Sequence, residues 1–241
     1  MAETKNIINN KNEYGGKTIA TSYSKNDEGY KRGISKDVVY HDNKGNKMKM
    51  EILHTLESIG NDGVLKSIMY LDGNWRIMIT ERYFTDEYIR KTGIEKSIIL
   101  FDNNGKMVKC DRHFSDESSK RDGVYKSIIY FDSSEKTAIT EFYYTYDSVK
   151  KDNIVKNIIY LDSNGKKVMT ERYFSDEYIR KTGITKSIMY LDGKGNALKS
   201  EQFYADDFTK KRKVSKSIMY FGSNGKVVIT ELYDKNGRLF E

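Results

Sequence analysis

A chain of 241 residues with 37% hydrophobic and 32% charged residues, and a mean hydropathy of −0.73, is too polar for one thick globular core. Its 12% aromatic content is too high for a disordered chain, and its formal charge of +7 is spread among interleaved acids, which argues against nucleic acid as the partner. The single cysteine, Cys110, excludes an internal disulfide framework and a cysteine-rich metal site, and no stretch approaches the roughly 18 consecutive apolar residues of a membrane span.

Residues 1–12 are polar and aperiodic and read as a tail. They contain no apolar leader segment, which places the chain as given in the cytoplasm, with export to the cell surface as the expectation if a signal peptide was removed. Abundant Lys, Ile, Asn and Tyr hints at an AT-rich, bacterial source. From residue 13 to 241 the chain reads as a single array. The stretch Glu81–Asp102, ERYFTDEYIRKTGIEKSIILFD, returns almost unchanged as ERYFSDEYIRKTGITKSIMYLD at Glu171–Asp192, three periods of thirty residues later. A fixed period is the signature of a repeat protein in which each unit packs only on its neighbours.

Within each period a run such as Lys156-Asn157-Ile158-Ile159-Tyr160-Leu161 is followed by a turn, Asp162-Ser163-Asn164-Gly165, and then by Val168-Met169-Thr170-Glu171-Arg172-Tyr173-Phe174. β-Branched and aromatic runs bounded by Asn, Asp and Gly predict two strands joined as a hairpin. If Asp102 and Gly105 pair across the turn, Lys96 lies opposite Asp111, Ile98 opposite Lys109 and Ser97 opposite Cys110. The same register sets Lys156 opposite Glu171, Lys186 opposite Glu201, Ile128 opposite Ile139 and Ser127 opposite Thr140, whereas a bulged turn shifts it by one. Connections such as Ser175–Gly183 have helical grammar, but Ser58–Gly63 and Glu117–Gly123 do not, so loops or extended hairpin ends are expected. The last unit replaces the connection by another turn at Asp234–Arg238, an expected terminal cap. The predicted fold is all-β, with tandem thirty-residue β-hairpin repeats forming an elongated twisted sheet or solenoid.

The recurring Tyr-Leu-Asp-Ser-Asn-Gly-Lys of Tyr160–Lys166, followed by Glu171 and Tyr173, resembles the tyrosine-rich hairpins of MORN-type and bacterial antitoxin-like repeat proteins, over almost the whole array. The period of thirty departs from the shorter one usual in that family, and its Gly-x-Gly spacing is missing. This resemblance implies an elongated sheet used for protein or lipid-surface contacts. Asp102–Met107 also looks like the choline- and glucan-binding repeats of surface proteins, which rely on Gly-Trp pairs, whereas Trp75 is the one tryptophan here.

Two columns carry candidate chemistry. Lys36, Lys66, Lys96, Lys126, Lys156, Lys186 and Lys216 recur without interruption, each matched in period by an acid fifteen residues later, from Glu51 to Glu231. They read as a structural ion-pair ladder in preference to an anion-binding stripe. Tyr83, Tyr143, Tyr173, Phe203 and Tyr233 form a candidate aromatic binding column; the adjacent Phe84, Phe114, Tyr144 and Phe174 leave the opposite face, so one column is expected inside and the other outside. Cys110 and His113 are an odd number of residues apart on one predicted strand and so point apart; neither they nor His41 and His54 form a recurring catalytic group. The turns resemble the start of a calcium loop, but the glycine comes early and Tyr173 falls where the ligating Glu belongs, so no metal or cofactor is predicted. The expected function is non-enzymatic binding or scaffolding through protein contacts; the alternative is binding of carbohydrate or a surface polymer by the tyrosines.

Overall fold

The computed structural model describes residues 4–240. The fold is all-β, a tandem array of hairpins in which strands follow one another in chain order, and it divides at Ser118 and Ser119 into two compact units. The first holds β1 (Thr4–Asn9), β2 (Gly15–Ser22), α1 (Glu28–Lys31), β3 (Ile34–Asp42), β4 (Lys47–His54), α2 (Leu56–Asp62), β5 (Val64–Leu71), β6 (Ile77–Phe84), α3 (Asp86–Thr92), β7 (Ile94–Phe101) and β8 (Met107–Phe114). After α4 (Asp116–Asp122), the second holds β9 (Val124–Phe131), β10 (Thr137–Tyr144), α5 (Tyr146–Asp152), β11 (Ile154–Leu161), β12 (Lys167–Phe174), α6 (Asp176–Thr182), β13 (Ile184–Leu191), β14 (Ala197–Tyr204), α7 (Asp206–Arg212), β15 (Lys216–Phe221) and β16 (Val227–Tyr233). Each unit is an open antiparallel meander, and within it each strand pairs with its chain neighbours. An array whose repeats touch only their neighbours has no single hydrophobic centre, so the single array expected over residues 13–241 contains two contact units.

The expected register is displaced by two residues. Asp102 donates its N–H to the Lys106 carbonyl, while its Oδ1 accepts the N–H groups of Asn104 and Lys106, at 2.8 to 2.9 Å. The loop therefore closes as Phe101 opposite Met107, and a bulge at Val108 then sets Leu100 opposite Lys109. Accordingly Lys96 faces His113, Ser97 faces Arg112 and Ile98 faces Asp111. In the second unit Lys156 faces Tyr173, Lys186 faces Phe203, Ile128 faces Glu141 and Ser127 faces Phe142. A slip of two leaves each side chain on its expected face, because strand periodicity is two.

The connections are helical throughout, including those expected as loops. Thr55, Thr85, Thr145 and Ser175 cap α2, α3, α5 and α6 by accepting the N–H of the third helical residue. Gly63, Gly93 and Gly183 end α2, α3 and α6 in the left-handed region, and their carbonyls accept the N–H of Thr85, Ser115 and Ala205 at the start of the next connection. This backbone link, absent from any single-repeat reading, makes a short helix worthwhile even where its own propensity is poor. The basic run Lys210–Lys213 occupies the exposed last turn and cap of α7, where its positive charge complements the negative end of the helix dipole.

The expected tail over residues 1–12 is in part strand: β1 pairs with β2 along Thr4–Asn9, and residues 1–3 lie outside the described residues. The register of β2 on β3 differs by one from that of β4 on β5, as Ser22 faces Lys36 where Leu53 faces Lys66. Thr18, Ala20 and Ser22 thus occupy the face that carries Lys49, Glu51 and Leu53 in the next hairpin.

Candidate functional site

On one face of each unit the paired registers assemble three side-chain rows. Across the second unit the first row runs Lys126, Tyr143, Lys156, Tyr173, Lys186, Phe203, Lys216 and Tyr233, each directly opposite the next. Beside it isoleucine alternates with glutamate, as in Ile158, Glu171 and Ile188. A third row places Tyr160, Met169 and Tyr190 alongside.

Five lysines of the column reach the acid of the preceding repeat. The pairs are Lys66–Glu51 (2.6 Å), Lys96–Glu81 (2.7 Å), Lys156–Glu141 (3.0 Å), Lys186–Glu171 (3.6 Å) and Lys216–Glu201 (3.8 Å). The within-repeat partners expected from spacing alone, such as Lys96 with Asp111, are replaced because the next strand presents His113, Tyr173 or Phe203 opposite Lys96, Lys156 and Lys186. The remaining carboxylate capacity is filled by tyrosines: Glu171 accepts Tyr160 at 3.2 Å and Tyr173 at 2.8 Å. The same pattern joins Tyr220 and Tyr233 to Glu231. Lysine ammonium groups also sit over the aromatic column, Lys96 over Tyr83, Lys156 over Tyr143 and Lys186 over Phe203, at 4.9 to 5.2 Å.

Electrostatics follow from this saturation. Burial opposes the charge on Glu51, yet hydrogen bonds from Lys66, Lys49 and Tyr40 outweigh it and hold the carboxyl at about 2. Burial and the bond to Glu171 push Tyr173 up to about 12. Burial works against the charge on Lys96, but its contacts with Glu81 and Tyr83 leave its value raised. The aromatic column Tyr83, Tyr143, Tyr173, Phe203 and Tyr233 is half-buried. Phe84 and Phe174 are half-buried as well, each stacked on a helical tyrosine, Tyr88 and Tyr178. The expected division into an inner and an outer aromatic column is therefore not what the structure holds.

The residues weighed for catalysis are scattered. Cys110 is 6% exposed and faces Ile99, whereas His113 faces Lys96 on the other side of the sheet; burial raises the thiol. His54 Nε2 lies 3.0 Å from Ser67 Oγ, but that serine is 3% exposed, and five periods later Tyr204 makes the same contact with Ser217 at 3.2 Å. Among the described residues no group of His, Cys, Asp and Glu is arranged to hold a metal, and no helix is long and apolar enough to cross a membrane.

One surface feature escaped the column reading. Leu56 and Tyr146, at the first position of α2 and α5, are 85% and 78% exposed, where sibling helices begin with Asp86, Asp176 and Asp206. Leu65 lies exposed at the start of β5, as do Tyr125 and Val155 in β9 and β11, with the Tyr125 ring 6.3 Å from that of Tyr143. Their signal was present as outliers within columns, not as columns.

Fold and face together define an all-β tandem-repeat protein. No family model matches the sequence, and no curated protein matches it. Among solved structures, the crystal structure of TcdB2-TccC3-Cdc42 is similar at 13% identity and a TM-score of 0.20, covering 93% of this chain and 13% of that one. That of TcdB2-TccC3 is similar at 10% identity and a TM-score of 0.19, covering 98% of this chain and 17% of that one. Likeness at this level carries no argument about fold or function.

Proposed function

We propose that the chain is a non-enzymatic binding or scaffolding protein that presents an extended β-repeat surface to other proteins. The observation that carries this reading is the placing of large apolar side chains, Leu56 and Tyr146, at exposed helix starts where sibling repeats have aspartate. Solvated apolar side chains beside a rigid, self-satisfied face suit a protein contact. Binding of carbohydrate by the tyrosine column is less well supported, because Tyr83, Tyr143, Tyr173 and Tyr233 already donate their hydroxyls to glutamates. Substituting Leu56→Asp and Tyr146→Asp, each the residue of sibling repeats, tests the reading. Partners captured by the unaltered chain at high salt and lost by this variant support it; partners unaffected by the substitutions, or polysaccharide retained in their place, contradict it.

A further inference from the structure

Lys66 and Lys96 on the lysine face of the first unit have carboxylate partners, but among the described residues two guanidiniums on its opposite face do not. Arg82 in β6 and Arg112 in β8 lie on either side of Ser97 in β7, each directly opposite it in the ladder. Two antiparallel steps place their Cα atoms roughly 10 Å apart, close enough for two arginine forks to converge on one group above the serine. Neither guanidinium has a carboxylate within 4 Å among the described residues. The rows that flank them on that face are Met69, Thr80, Ile99 and Cys110 on one side and Phe84, Ile94 and Phe114 on the other; Arg112 hydrogen-bonds the Cys110 thiol, and the next residue along their own row is Ser67, which holds His54.

The fold does not require arginine here. The same column carries Ile52, Phe142, Gln202 and Leu232 in other repeats, and like charges two strands apart repel. Arg82 is exposed, Arg112 is half-buried, and Ser97 forms a buried floor. Two planar forks provide ten N–H donors and a double positive charge in total, which matches a phosphoryl dianion better than a single carboxylate.

We propose that Arg82, Ser97 and Arg112 form an oxyanion-binding site selective for a phosphoryl group, independent of the protein-contact reading. The test is titration of the full chain with inorganic phosphate, followed by calorimetry and by the amide resonances of Arg82, Ser97 and Arg112. One saturable site is expected, weakened about tenfold or more by Arg82→Gln or Arg112→Gln, with acetate binding about tenfold more weakly than phosphate. Arg172→Gln serves as the control, since Arg172 lies on the equivalent face between Asn157 and Ser187 with no second arginine beside it; it is expected to leave binding unchanged. Should a glutamine variant unfold, Arg82→Lys and Arg112→Lys decide the matter, because they keep the charge and remove the fork; weakened phosphate binding with an unchanged melting curve supports the site. Absence of a saturable response at those amides, equal affinity for acetate, an equal effect of Arg172→Gln, or full binding by the lysine variants overturns it.

Discussion

Individual residues show where the repeat pattern is kept at a cost. Lys213 adopts φ of 63° at the cap of α7, the place held by Gly63, Gly93 and Gly183 after α2, α3 and α6, and Trp75 adopts 69° at a turn position elsewhere held by Gly45, Gly105 and Gly165. A left-handed conformation costs an L-residue about 1–2 kcal/mol, part of which glycine returns through its own chain entropy. Lys213→Gly is therefore expected to stabilise the chain by about 0.5–1 kcal/mol in urea unfolding. The same helix lacks a side-chain cap because Ala205 stands where Thr85 and Ser175 accept an N–H. Ala205→Ser is expected to add about 1 kcal/mol. Trp75→Gly gains less, since its ring is covered by the Lys47 ammonium at 4.3 Å.

At the scale of the element, the connection is the part that tolerates least. A Cβ on Gly183 would lie 2.3 Å from the Phe208 ring of the next helix, and φ there is +79°. Gly183→Ala is expected to cost about 2 kcal/mol or more, read as a lower urea midpoint at unchanged slope. The strands and turns were legible because Asp-x-Asn-Gly and alternating columns act within a few residues, as at Asp162–Gly165. The pairing partner was not: Val108 bulges out of the ladder, which no local preference announces, and so Lys96 meets Glu81 instead of Asp111. Helices such as Leu56–Asp62 were also hidden, because the bond from Thr85 to the Gly63 carbonyl that helps hold the cap comes from another repeat. Arg82 and Arg112 stood in the sequence as ordinary strand residues, and only the observed register places Ser97 between them.

Across the whole molecule, the lysine–glutamate–tyrosine face bonds one repeat to the next, and the proposed protein contact falls to residues that break the pattern, Leu56 and Tyr146. Its ionisation sets a window of stability. Glu51 and Glu81 are held below their ordinary value of 4.5, so their contribution is present above that pH and is lost as pH falls below it, for Glu51 toward about 2. Tyr173 is raised from 10 to about 12, so the protonated phenol favours the fold; its contribution is present below pH 10 and is lost as pH rises toward about 12. Lys96 and Lys156, raised above 10.5, add to the alkaline loss. Urea unfolding across pH should show a plateau with losses on both flanks; a flat profile down to pH 2 contradicts this assignment. The most direct measurement is a pair of double-mutant cycles on unfolding free energy, one for Lys96→Met with Glu81→Gln and one for Lys66→Met with Glu81→Gln. The inter-repeat ladder predicts a coupling of about 1 kcal/mol for Lys96 with Glu81 and less than about 0.3 kcal/mol for Lys66 with Glu81. The reverse order, with Glu81 coupled to the lysine of its own repeat, would contradict it.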